Sequence, residues 1–427
     1  MESQKFNDGL IKFIQQSPTP FHATKSIVDI LEGNGFERLH EGDSWQIKPD
    51  GKYFATKNAS SIVAFSLNQQ NPVEKGFRMV GAHTDSPCLK VKPLPVISKK
   101  SYFQLGVEVY GGVLLNPWFD RDLSIAGRVS YRQKNGELSS TLLDFEKPVA
   151  IIPSLAIHLN REANMGRAIN NQKDILPIIG QIGDDVENFS DWLRKVVLEH
   201  DSSLDISEVL DYELFFYDVQ KPAIIGFYND FIASARLDNL LSCYAGLQSL
   251  IENENQKPQI LVCNDHEEVG SASACGAQGP FLKSIIERIV GTGEDFTRCI
   301  HHSLMISADN AHGVHPNYSE MHDDNHDPIL NHGPVIKINA NQRYATNSES
   351  SAMFKAICKE ENIPFQVFVM RSDLACGSTI GPITATEIGI NTIDVGVPTF
   401  AMHSIRELAG SKDAYMFYKV LKRFFSY

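Results

Sequence analysis

Two adjacent carboxylates, Glu267 and Glu268, follow directly on a short apolar run, Ile260-Leu261-Val262-Cys263. Side chains of adjacent residues point in different directions, so the pair can divide its work. One carboxylate can hold a cation while the other moves a proton. An acidic turn after a strand is equally an ordinary solvated feature. Matching chemistry recurs elsewhere in the chain: His83 with Asp85 two residues on, Asp238, Asp309 and His403. Leaving Asp85 aside, His83, Asp238, Asp309, His403 and Glu268 make two histidines, two aspartates and a glutamate, a mixed N/O set suited to zinc, or to manganese or cobalt. A lone histidine after a strand is more often structural, and an aspartate at a helix start is usually a cap. Repetition at several strand ends is what raises the joint reading. If five side chains serve two ions, one carboxylate must bridge. Two ions about 3.5–4 Å apart share a water and lower its pKa, and Glu267 is then left to act as its general base.

The elements that must position these residues are legible as apolar runs. Strands are expected at Tyr53–Thr56, Ser61–Leu67 and Phe77–Ala82, the last running into His83-Thr84-Asp85. The run Gln259–Cys263 leads into Glu267-Glu268, and Ser303–Ala308 into Asp309. Further strands are expected at Val335–Asn339, Phe365–Met370 and Thr392–Val395, the last leading toward His403. Helical spacing covers Asn7–Ile14, Phe21–Asn34, Leu282–Ile289, Ser348–Glu361 and Ser411–Phe425, with Asp238 capping a helix that runs to Ile251. Strands alternating with helices imply an α/β fold with a largely parallel central sheet covered on both faces. In such folds ligands bind beyond the carboxyl ends of the strands. Between residues 92 and 234 the texture changes to short alternating segments, among them Phe103–Tyr110, Ala126–Arg132, Ser139–Leu143, Val149–Ile152, Leu214–Tyr217 and Ala223–Phe227, with one helix at Asp184–His200. The expected organisation is an α/β domain of residues 1–91 and 235–427, interrupted by a mostly β insertion of residues 92–234.

Composition narrows the partners. The 427 residues carry a formal net charge of -13 with no offsetting Lys/Arg run, which argues against nucleic acid. Seven scattered cysteines without a CxxC pair fit a reducing compartment. The first residues lack an apolar signal core, and no stretch approaches a membrane span, so a cytoplasmic protein without a membrane partner is expected. His266-Glu267-Glu268 is not an HExxH site, the Gly377–Gly381 region lacks a phosphate-loop lysine, and neither GxGxxG nor GxSxG occurs in a fitting context.

An ordered set of segments resembles the aspartyl aminopeptidase family of dinuclear zinc metallopeptidases. It comprises Ser17–Ala23, Gly81–Pro87, Ile152–Arg161, Ala235–Asn239, Asp265–Gly270, Ser307–Tyr318, Gly333–Thr346, Gly377–Pro382 and Ala401–Ser404. The resemblance implies two Zn2+ per subunit, with Co2+ or Mn2+ as substitutes, bridged by Asp238. His83 and Asp309 complete one site, and Glu268 and His403 the other. Glu267 becomes the general acid/base, and Asp85 orients His83. His158, in the insertion, becomes a group reaching a neighbour's active site, or a further zinc ligand. Lys337, Arg343 and Tyr344 are the implied recognition groups for an acidic first residue, with His312, His315 and the Gly377-Ser378 loop as further contacts. The insertion is implied to pair subunits and to gate substrate within a homo-dodecamer built from dimers, acting on short peptides. Activity of broad or non-acidic specificity, a dinuclear zinc deacylase or carboxypeptidase, and a catalytically inert scaffold are the competing readings.

Overall fold

Alternation along four strands builds the centre of the molecule. Val63, Phe65, Met79, Ile260, Val262 and Met305 enter one core. Their chain neighbours Ile62, Ala64, Val80, Leu261, Cys263 and Ile306 enter another. Successive side chains of a strand point to opposite faces, so one sheet separates the two cores. The strands Ser61–Ser66, Arg78–His83 and Gln259–Asn264 are buried at every position, as strands covered on both sides must be. Helices Phe281–Val290, Glu294–His302 and Ile380–Ile388 pack into the first core. Helices Glu2–Gln15, Pro20–Gly33, Leu237–Ile251, Ser348–Glu360 and Asp413–Phe425 pack into the second.

The computed structural model describes residues 2–181, 188–253 and 257–427. They divide into two compact units, the first Met1–Ser86, Pro222–Met402 and Glu407–Tyr427, the second Pro87–Lys221 and His403–Arg406. The first contains a nine-stranded sheet in the order Glu37–Arg38, Lys52–Lys57, Ser61–Ser66, Gln259–Asn264, Arg78–His83, Leu304–Ala308, Asn391–Gly396, Val335–Ile338, Gln366–Val369. Five of its eight pairings are parallel, including the three that join its four inner strands. The fold is thus α/β with a mainly parallel centre. A smaller sheet joins Ala223–Ile225, Phe231–Ser234, Glu407–Gly410, Pro398–Phe400 and Ala311–His312. Its first two strands, read from sequence as part of the insertion, therefore pair within this unit.

The second unit is a six-stranded antiparallel sheet, Leu138–Asp144, Leu123–Gln133, Ile206–Asp218, Cys88–Lys99, Tyr102–Tyr110 and Ile178–Gln181. Helix Phe189–His200 packs Leu193 and Val197 into its core beside Trp118 and Leu214. The expected helix start at Asp184–Glu187 lies outside the described residues. The expected strand Val149–Ile152 makes only isolated bridges through Ala150 and Ile151, because Pro148 and Pro153 on either side cannot donate to a ladder.

Candidate metal centre

His83 is the last residue of its strand and stands in register with Asn264 on the parallel neighbour. The imidazole and the turn carrying Glu267 and Glu268 therefore leave the sheet side by side. Asp309 follows Leu304–Ala308 directly, and its N–H continues the ladder to the Val395 carbonyl at 2.9 Å. Asp238 stands at a kink in the helix entrance with an extended backbone, φ -81° and ψ 106°. Its backbone is anchored on both sides. Its N–H donates to Glu407 Oε2 at 3.0 Å, and its carbonyl accepts from Ser86 Oγ at 2.7 Å. Asn239 next to it donates to the Ala308 carbonyl at 2.8 Å, tying this segment to the strand that ends in Asp309.

These elements bring together four of the acidic candidates and His83. His83 Nε2 lies 3.5 Å from Asp238 Oδ1, 3.7 Å from Asp309 Oδ1 and 4.0 Å from Glu267 Oε2. Glu268, His83 and Asp238 each offer a ligand atom within 4.8 Å of the others. The opposite imidazole nitrogen, Nδ1, sits 3.0 Å from the Asp85 carbonyl oxygen and 3.4 Å from its carboxylate. An imidazole whose Nδ1 is held by a backbone carbonyl or carboxylate presents Nε2 as its ligating atom. The fully buried Asp85 carboxylate also accepts the N–H groups of Glu267 and Glu268, both at 3.1 Å. One side chain thus orients the histidine and holds the acidic turn.

The electrostatics follow from packing like charges. Burial pulls the His83 imidazole down, but bonds to Asp238, Asp309 and Asp85 outweigh it and raise its pKa well above the usual value. Burial pushes the Glu267 carboxyl up to about 8; His83 opposes the rise, while Asp309, Asp85 and Asp238 add to it. A site that holds a proton this tightly is one in which positive charge is in demand. Donors of histidine nitrogen and carboxylate oxygen, converging from three strand ends and a helix entrance, fit zinc or a similar divalent cation.

The remaining candidates divide. Lys337 is almost wholly buried, and its Nζ lies 3.2 Å from both Asp309 Oδ2 and the Asn310 carbonyl, 5.2 Å from the Tyr344 ring centre. The sequence offered it as a substrate contact or a surface ion pair; the ion pair it makes is internal. Tyr344 is buried against Phe368 and Val335, and burial drives its hydroxyl pKa far upward. Arg343 is exposed, and its carbonyl accepts from Ser378 Oγ at 3.2 Å. Both line a cleft with Gln278 and Asn341, and Gly377 beside them is exposed. His312 packs edge-on to Phe368, with burial and Lys337 holding its pKa below the usual value. His315 lies between Tyr318 and Phe400. His403 belongs to the second unit, where its Nδ1 is 3.0 Å from the Gly112 carbonyl oxygen. His158 is exposed on a turn of that unit.

Sequence reasoning missed three supporting residues. Glu407 fixes the Asp238 backbone. A Cβ on Gly396 would lie 1.8 Å from the Asp309 carbonyl oxygen, so only glycine lets that strand approach Asp309. Buried Asp394 accepts from the Ala345 N–H at 2.6 Å and from the Thr379 hydroxyl, fastening the Arg343 segment to the glycine-rich loop. An aspartate inside an apolar strand, in Thr392-Ile393-Asp394-Val395, was the one signal available for it.

The chain matches the family model described as aminopeptidase I zinc metalloprotease (M18) over residues 13–425. It is 59% identical over 420 residues to the "Probable M18 family aminopeptidase 2" of Ectopseudomonas mendocina (strain ymp), covering 98% of this chain and 97% of that protein. Its fold superposes on a chain in the cryo-EM structure of the Ape4 and Nbr1 complex with TM-score 0.95 and 36% identity, covering 100% of this chain and 86% of that one. It is also similar to the S. cerevisiae mApe1 dodecamer structure, with TM-score 0.85 and 30% identity, covering 99% of this chain and 96% of that one.

Proposed function

The chain belongs to the aminopeptidase I zinc metalloprotease (M18) family and is a metal-dependent aminopeptidase, and from that premise we propose that it releases N-terminal acidic residues from short peptides with Glu267 as general acid/base. The observation that carries this reading is the convergence of Asp238, Asp309 and Glu267 on one face of His83, at 3.5, 3.7 and 4.0 Å. His83 and Asp309 would hold one cation, Glu268 the other, and Asp238 both. When bound, the ions supply a Lewis acid for the scissile carbonyl and lower the pKa of the attacking water. Glu267 then takes a proton from that water and returns it to the leaving amine. Asp85 keeps Glu267 and Glu268 in place through their N–H groups. Lys337 holds Asp309 from the side away from His83, which leaves exposed Arg343, beside Ser378, as the better placed cation for an acidic side chain.

A turnover panel tests the reading: Asp-, Glu-, Leu- and Lys-peptides, each with free and blocked amines, after chelation and re-addition of Zn2+, Co2+ or Mn2+. Blocked peptides should resist, Asp- and Glu-peptides should turn over fastest, and chelation should abolish activity. Turnover of blocked peptides would instead favour a deacylase, and equal rates across side chains would remove the acidic preference. The assembly proposed is a homo-dodecamer built from dimers through the second unit. It is supported by the mApe1 dodecamer and by exposed Leu155, Ile157, Leu159 and Met165 on one segment of that unit. Sedimentation giving a monomer at micromolar concentration would refute it. A cytoplasmic location is proposed from the scattered, unbridged cysteines, with cell fractionation as its test.

A further inference from the structure

Beside the His83 cluster lies a second group of metal-binding side chains with different chemistry. Asp265, His266 and Cys275 each offer a ligand atom within 4.8 Å of the others. Cys275 Sγ lies 3.4 Å from His266 Nδ1, and His266 Nε2 lies 3.5 Å from Asp265 Oδ2. Zinc bonds of about 2.0–2.3 Å give a ligand tetrahedron with edges of about 3.5 Å. Closing the three side chains onto one ion therefore asks for movement on the order of 1 Å.

The backbone that carries them is fixed. The Cys275 carbonyl accepts from Ser61 Oγ at 2.9 Å and from Asn264 Nδ2 at 3.2 Å, and the Asp265 N–H donates to Ser61 Oγ at 2.8 Å. Ser273 Oγ lies 2.8 Å from His266 Nδ1, the nitrogen that faces Cys275, so an ion taken on Nδ1 would replace that hydrogen bond. Cys275 and Asp265 are buried, whereas the His266 side chain is 31% exposed, which provides the way in. With Cys275 Sγ 4% exposed as a residue, the group is ill placed to attack a substrate and well placed to hold an ion.

We propose that Asp265, His266 and Cys275 form a further cation site, selective for thiolate-binding divalent ions such as zinc, that clamps the turn bearing Glu267 and Glu268. A thiolate selects zinc or cobalt over manganese, whereas the N/O donors around His83 accept all three. The ligands Asp265 and His266 immediately precede Glu267. Ser271 N–H closes the turn on the His266 carbonyl at 2.7 Å, so an ion on His266 stiffens the backbone that presents the proposed base.

The test uses the full-length protein loaded with Co2+ or Mn2+. Cobalt–thiolate bonding produces a near-ultraviolet charge-transfer band that the His83 cluster, having no sulfur, cannot produce. The expected result is this band in the wild-type protein and one more equivalent of bound cobalt than in Cys275→Ser. Cys275→Ser should lose both the band and that equivalent. Asp238→Asn, which damages the His83 cluster, should keep the band, so failure of this site and of the proposed dinuclear site are told apart. Manganese should not supply the extra equivalent. Absence of the band in the wild-type protein overturns the proposal whatever the variants do, and so does its persistence in Cys275→Ser.

Discussion

Replacing Asp85 by asparagine probes the organisation of the site most directly. The wild-type carboxylate accepts one N–H on each oxygen, from Glu267 and Glu268 at 3.1 Å each, and lies 3.4 Å from His83 Nδ1. Asparagine keeps the shape but has one acceptor, so one of the two N–H groups must face an NH2. Losing a charge-assisted hydrogen bond costs about 1.5–3 kcal/mol, and a buried donor left unmatched costs about 1–3 kcal/mol more. In the metal-free protein this loss is partly offset, because the substitution removes one negative charge from among Asp238, Asp309 and Glu267. The net change in metal-free stability should therefore be smaller than the roughly 2.5–6 kcal/mol to which those two losses sum. Metal binding enjoys no such relief. The imidazole and the Glu268 turn lose their orienting partner, and affinity should fall 10- to 100-fold, or about 1.4–2.7 kcal/mol. Chelator competition measures the affinity, and thermal unfolding with and without metal separates the two contributions. An affinity within threefold of wild type, with turnover intact, would refute the orienting role. Intact affinity with lost turnover would confine Asp85 to positioning Glu267.

Other substitutions test neighbouring links. Glu267→Gln should lower turnover by about 10²–10⁴-fold with metal content unchanged by mass spectrometry; unchanged turnover would eliminate it as the proton carrier. Gly396→Ala places a Cβ against the Asp309 carbonyl and should cost about 1–3 kcal/mol or more in denaturant unfolding, with weaker metal binding because Asp309 must shift. Burial raises the Asp413 carboxyl to about 6, against hydrogen bonds from the Asn331 and Gly333 N–H groups. The folded state therefore binds this proton more tightly than the unfolded state, and stability falls as pH rises from about 4 to about 6, by about 3 kcal/mol. Asp413→Asn should lose that part of the slope when denaturant midpoints are compared at pH 4.5 and 7, whatever constant offset the lost acceptor brings.

What was legible in the sequence depended on period and position. The central strands could be read because apolar runs feeding both cores leave a continuous signal, and the residues just past their ends followed. Helix Ile380–Ile388 could not be read. Its glycine, its proline and its β-branched residues all score poorly for helix. It forms because Thr379 caps it through the Gly381 N–H and because Ile380, Thr384 and Ile388 bury one face. The strand Cys88–Lys99 contains Pro93 and Pro95, and its register with Tyr102–Tyr110 shifts between Val91 and Val96, which interrupts any alternation a reader would count. Among the candidate site residues, the partner of Lys337 was hidden for another reason. Lysine side chains are usually solvated, and nothing in Val335–Ile338 announces that this one turns inward to Asp309. The support from Glu407 to Asp238 spans 169 residues, a distance over which no local pattern carries information.

The shared ladder of the inner strands constrains how this protein can change over generations. Asn264 lies beside His83, and Ser307 beside Gly81. Gaining or losing a single residue within any of these strands would exchange inward and outward faces and carry His83, Glu268 or Asp309 to the wrong side. Connections at the opposite edge of the sheet are under no such restriction. Insertions and deletions among descendants of this chain should gather there, while the lengths of the strands that end at the cluster stay fixed.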